Sequence, residues 1–183
     1  MENSPVSTNF PEAMPRADFV TIPARQLLAI YESADAEVAA AAPVCEVSGR
    51  CCRFREYGHT LFLSRPEAEL LLHEGLPPDS VVNDEGCPFQ IRGLCTARER
   101  RPLGCRVYFC DPRYEGTGEQ ISERAIGQLK ALHAESQTPW EYRPLVHFLR
   151  EAMATGSSAP VRSMDSDPSA SVSTSLPPES ADG

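Results

Sequence analysis

All seven cysteines of this 183-residue chain fall within one stretch, as Cys45, Cys51, Cys52, Cys87, Cys95, Cys105 and Cys110. Thiols used merely as small buried hydrophobes have no reason to gather in this way. Such a grouping reads first as a metal site, second as a disulfide framework and third as chance. An odd count leaves one thiol unpaired in any complete disulfide scheme, and the vicinal pair Cys51-Cys52 strains the geometry of a bridge. Metal is the better account. Thiolates are soft donors that select zinc, Cu(I) or iron–sulfur centres. A tetrahedral site takes four of them. The remaining three are then structural, belong to a second site, or bridge two metals.

The spacing is not the C-x-x-C knuckle used twice, as in many zinc sites. Five residues separate Cys45 from Cys51, seven separate Cys87 from Cys95, and four separate Cys105 from Cys110. The donors therefore sit on separate loops that the surrounding fold must bring together, which couples metal binding to folding. Nine arginines lie in the same stretch and balance nine acids, so the region is neutral. Guanidinium groups near a thiolate centre offset its negative charge, although any one of them is as readily a solvated surface residue.

The net charge of −9 comes from the flanks, with −4 over residues 1–44 and −5 over 111–183. An acidic balance argues against a nucleic-acid footprint or an anionic-membrane anchor, both of which need a basic excess. No apolar run is long enough to span a bilayer, and the opening Met1-Glu2-Asn3-Ser4 has neither the basic nor the apolar part of a secretory signal. The sequence reads as cytoplasmic, where thiols stay reduced.

Along the chain, residues 1–17 carry Pro5, Pro11 and Pro15 among polar residues and read as disordered. A helix is expected from about Thr21, with Pro23 in its first turn and Leu27, Leu28, Tyr31, Ala34, Val38 and Ala42 as its apolar stripe; Pro43 stops it. Tyr57 to Leu63 has strand composition. Ser64-Arg65-Pro66-Glu67 opens a helix with a capping box, and Gly75 closes it. Cys87 to Cys95 reads as a hairpin turning at Arg92-Gly93. A helical turn precedes Pro102. Further helices are expected from Thr117, with Ile121, Ala125, Leu129 and Leu132 inward, and from Trp140 to Pro144, with Leu145, Phe148, Leu149 and Met153 inward. Residues 155–183 are rich in Ser, Pro and Ala and read as a disordered tail. The expected architecture is a mainly helical α+β domain over residues 18–154.

The set Cys45…Gly49-Arg50-Cys51-Cys52, then Cys87-Pro88-Phe89…Cys95, then Arg101-Pro102-Leu103-Gly104-Cys105-Arg106…Phe109-Cys110 resembles the YkgJ-type cysteine-cluster family. That family is described as a zinc- or iron-chelating domain with the pattern C-x-x-C-x-x-C-C. The resemblance covers about residues 45 to 112 and implies a thiolate metal centre. Six cysteines match; Ser48 stands where the family shows a cysteine, which bears on Cys45 as its neighbour in the motif.

Other chemistries find little support. No Gly-rich phosphate loop, H-E-x-x-H or C-x-x-x-C-x-x-C is present. His59 offers a nitrogen donor close to Cys51-Cys52, although a lone histidine is more often structural. Three readings remain: a protein binding zinc or iron, the iron as an ion or as an iron–sulfur cluster; an iron–sulfur-dependent redox or modifying enzyme; and a structural interaction protein with inert thiols. The metal ligands expected are Cys45, Cys51, Cys52, Cys87, Cys95, Cys105 and Cys110.

Overall fold

The computed structural model describes residues 22–155; the tails expected at 1–17 and 155–183 lie outside them apart from Thr155. The fold is mainly helical α+β, as six helices and four short strands. Helix α1 (Ala24–Ala41) starts after Pro23, whose fixed φ suits a helix entry. It ends at Ala42, which adopts φ 48° and returns its N–H to Val38 at 3.0 Å; Pro43 prevents continuation. Leu27, Tyr31, Ala34 and Val38 are buried at helical spacing, whereas Leu28 and Ala42 of the expected stripe face solvent.

Helix α5 (Glu115–Glu135) lies against α1 with Ile121, Ala125, Leu129 and Leu132 inward, as the periodicity requires. A five-residue helix, α4 (Leu103–Val107), inserts Leu103 and Val107 between them. Ion pairs Arg106–Asp35 (2.5 Å) and Arg124–Glu37 tie α4 and α5 to α1.

A second core forms around two strand–helix units. Strand β1 (Phe62–Ser64) runs into α3 (Arg65–Leu72), and β4 (Tyr142–Pro144) runs into α6 (Leu145–Ala154). The strands pair antiparallel, with Phe62 opposite Pro144 and Ser64 opposite Tyr142. Leu61, Leu63, Ala68, Leu71, Leu145, Phe148 and Leu149 pack between them, joined by Phe54, Phe89 and Ala97 from the cysteine-bearing loops. Three expectations are corrected here. Residues Phe54–Tyr57 form a short helix, α2, closed by Gly58 at φ 65°, so only the end of the anticipated strand is β. Tyr142–Pro144 is a strand rather than a helix entry, because the free edge of β1 takes up its backbone. Met153 points outward, at 59% exposure.

Glu67 joins the two cores. It is almost completely buried, and its carboxylate accepts the Ser64 N–H (2.7 Å) and hydroxyl (2.8 Å), the Leu103 N–H (2.8 Å) and the Tyr31 hydroxyl (3.1 Å). A buried carboxylate survives where donors replace its water shell. Burial, then the Glu67 charge, raises the Tyr31 pKa well above its usual value, so the phenol remains a donor. The capping box visible in the sequence thus also fixes the start of α4. No described helix is long and apolar enough to cross a membrane.

Candidate metal centre

Three stretches of backbone, 45–52, 87–95 and 105–110, carry the thiols, and each is fastened to another. After α1 the chain passes Val44, whose N–H donates to Asp111 Oδ2 at 3.1 Å, linking the Cys45 segment to the Cys110 segment. Arg113 donates to the same carboxylate through its side chain and its backbone, and these bonds hold Asp111 well below the usual carboxylate pKa. Gly49 then turns at φ 70°, accepting the Gln90 side-chain amide at 3.0 Å; a Cβ here would stand 2.3 Å from Gln90 Nε2. A 3₁₀ turn, Arg50–Cys52, follows. The Cys52 carbonyl accepts the Cys87 N–H at 2.8 Å, and the Arg55 N–H donates to Glu85 at 3.0 Å, so these two segments run side by side.

Cys95 is placed by the hairpin β2 (Gln90–Ile91) and β3 (Leu94–Cys95), which turns through Arg92 at φ 51° and Gly93 at φ 81°. Two successive left-handed residues are what a tight two-residue hairpin requires. Cys105 rides on α4, with its N–H on the Pro102 carbonyl (2.9 Å) and the helix start on Glu67. Next to it Arg106 lies 4.3 Å over the Tyr31 ring.

The outcome is convergence: all seven cysteines line one cavity of about 100 Å³. Cys52 is buried, Cys45 is exposed, and the other five are partly covered; none forms a disulfide. The Cys51 and Cys52 sulfurs lie 3.8 Å apart, and Ser48 Oγ lies 3.8 Å from the Cys110 sulfur. Among the described residues no group of three or more His, Cys, Asp or Glu side chains stands at metal-holding separation. The thiols face a common space without being drawn together across it.

Their electrostatics follow from that crowding. The hydrogen bond to Cys52 raises the Cys51 pKa, helped by burial and by the Cys52 charge, while Arg101 opposes. For Cys52 the bond with Cys51 is the largest influence and lowers the value; the Cys87 thiol, burial and the Cys87 and Cys95 charges outweigh it and push it up to about 12. Burial raises Cys105, with Cys52, Cys51 and Cys95 adding to it. Cys51, Cys52 and Cys105 thus each respond to neighbouring thiols, whereas Cys110 acts on Tyr108 and Arg50. Arg50, Arg98 and Arg101 stand on the cavity wall.

His59 does not join the thiols. Its ring stacks on Tyr108 at 5.5 Å between centroids, with Nε2 3.4 Å from the Cys51 carbonyl, in a separate cavity behind Cys51 and Cys105. His133 is buried on α5, and His147 lies beside Glu141 and Glu151. Sequence reasoning missed Glu67 and Asp111 as positioning groups. Glu67 was legible only as a cap, and Asp111-Pro112 only as the end of a loop.

No family model, no curated protein and no solved structure matches the chain. The assignment of function rests on the residues themselves.

Proposed function

We propose that this protein binds zinc or iron through the thiolates of the Cys45–Cys110 cluster, and that it is a relative of the YkgJ-type family whose motif it resembles. One observation carries the reading: seven cysteines from three separate stretches of chain line a single cavity. The donor set fits a soft metal, being sulfur throughout, with arginines on the wall to offset a negative centre. Cys51, Cys52, Cys87, Cys95, Cys105 and Cys110, all buried or partly covered, are the inner candidates; the exposed Cys45 is the outer one.

Thiols that raise one another's pKa hold their protons in the absence of a cation, and a divalent ion reverses this by displacing protons as it binds. Neutral thiols also have little to draw them closer than contact distance, so closure of the cluster belongs to the bound form. Zinc would supply a structural cross-link, and iron held as a cluster would supply electron transfer.

Anaerobic purification followed by elemental analysis and visible spectroscopy tests the proposal. Stoichiometric zinc in a colourless protein, or iron with visible absorption, is the expected result. A folded, metal-free protein overturns it and leaves the structural reading with inert thiols.

A further inference from the structure

Behind the thiol cluster lies a second cavity, of about 250 Å³, between β1 and α4. Cys51, Leu61, Cys105 and Tyr108 line both cavities, so these residues form the partition, with the two cysteines facing the thiol side. Two ring pairs border the second space. His59 and Tyr108 stack at 5.5 Å with 17° between planes, and Phe62 and Tyr142 at 5.8 Å with 23°. Phe62 and Tyr108 are 41% and 38% exposed, so both rings are held partly in solvent rather than in either core. Exposed aromatics grouped at a cavity mark binding sites.

Gly104 forms part of the floor and packs closely against the Leu61 wall. A glycine inside α4 lowers helix stability, yet a Cβ there would come within 2.9 Å of Leu61 Cδ1 on the cavity wall. Among the described residues no Asp, Glu, Lys or Arg lines the space. An ionic ligand would find no counter-charge, whereas a flat neutral ring would find aromatic faces together with the polar atoms of His59 and Thr60. Apolar cavities of ~150 Å³ already take up a benzene molecule, so the volume is sufficient.

We propose that this cavity binds a neutral planar aromatic ring of a small molecule, seated against the Cys51–Cys105 partition. The site goes beyond the metal reading and does not depend on it. Titration of the full chain with benzamide, followed by NMR of the aromatic side chains, tests it, with cyclohexanecarboxamide as the non-aromatic match. Benzamide is expected to shift the Phe62, Tyr108 and Tyr142 ring signals saturably and to bind about fivefold tighter than its saturated counterpart, the gain typical of ring stacking. Phe62→Ala, which removes an exposed wall, should weaken binding about fivefold, and Gly104→Ala, whose Cβ would displace Leu61 on the same wall, should weaken it as well.

Equal affinity for the two amides, or shifts that bypass these rings, overturns the inference, as does unchanged binding in both variants. Metal content of the same samples reports on the thiol centre separately. A metal-free protein that binds benzamide contradicts only the metal reading, and a metal-loaded one that ignores benzamide contradicts only this one.

Discussion

The 3.8 Å between the Cys51 and Cys52 sulfurs can be set against the needs of a metal. Four sulfurs at ~2.3 Å from zinc lie ~3.8 Å from one another along the edges of the tetrahedron. The vicinal pair therefore meets the requirement for sharing an ion, although the same distance is also ordinary contact between two thiols. Cys45, by contrast, is exposed, and no second cysteine stands before Cys51. Cys51→Ser and Cys110→Ser are accordingly predicted to lower metal affinity by at least ~10-fold, the least that loss of supporting groups around a metal usually causes, and Cys45→Ser to lower it less. Equal losses in metal content across the three variants would contradict that ranking. The thiols also set a pH dependence for the metal-free protein. Cys52 titrates at about 12 in the fold, against a reference of 9.0. Above pH 9 the unfolded chain sheds protons that the folded one retains, so folding stability is intact below pH 9 and declines from there towards 12. Thermal denaturation across that window should show a falling midpoint, and a flat profile would refute the coupling.

Among the elements, α4 is the most dependent on a single side chain. Its first N–H and the Tyr31 hydroxyl both end on Glu67, which also receives two donors from Ser64. Glu67→Gln puts an amide N–H₂ group where an acceptor is needed, and is predicted to destabilise the fold by roughly 3 kcal/mol. Metal affinity should fall with it, since Cys105 rides on the same helix. Chemical denaturation of the variant checks the first effect; a midpoint within error of the parent would show that Glu67 does not organise the junction. Gly49→Ala acts where the Arg50–Cys52 turn meets the hairpin. A left-handed φ and a Cβ 2.3 Å from Gln90 Nε2 together predict a loss of about 1–3 kcal/mol, readable in the same experiment.

What the sequence reveals divides along similar lines. The α1 and α5 stripes and the Ser64–Glu67 cap were legible because their signals lie within one helical turn. Strand β4 was not, because its partner is some eighty residues away and Pro144 before an apolar run resembles a helix start. Helix α4, with Gly104 and Cys105 in five residues, has little propensity of its own and owes its form to Leu103 and Val107 packing between α1 and α5.

For the molecule as a whole, two cores meet at Glu67, and the thiol-bearing loops close over the second core through Phe54, Phe89 and Ala97. Apart from α4, which carries Cys105, those loops contain β2 and β3, of two residues each, and three single-turn helical pieces, Arg50–Cys52, Phe54–Tyr57 and Arg98–Arg100. They are joined to one another by hydrogen bonds such as Cys87 N–H to the Cys52 carbonyl and Val44 N–H to Asp111. A cation joining segments far apart in sequence would hold them much as cross-links do, so chelation is predicted to lower the unfolding midpoint and to loosen residues 45–55 and 85–110 before the α1–α5 pair. Hydrogen exchange with and without chelator would display this, and uniform protection in both states would count against it. The clustering of cysteines made the site legible, but not which thiols are inner, since that follows from Gly49, Asp111 and the Cys52–Cys87 backbone contact. The central claim is tested most directly by X-ray absorption at the metal edge of the anaerobically purified protein. The account predicts a first shell of about four sulfurs at ~2.3 Å; a shell of oxygen and nitrogen alone, or the absence of any stoichiometric metal to measure, would contradict it.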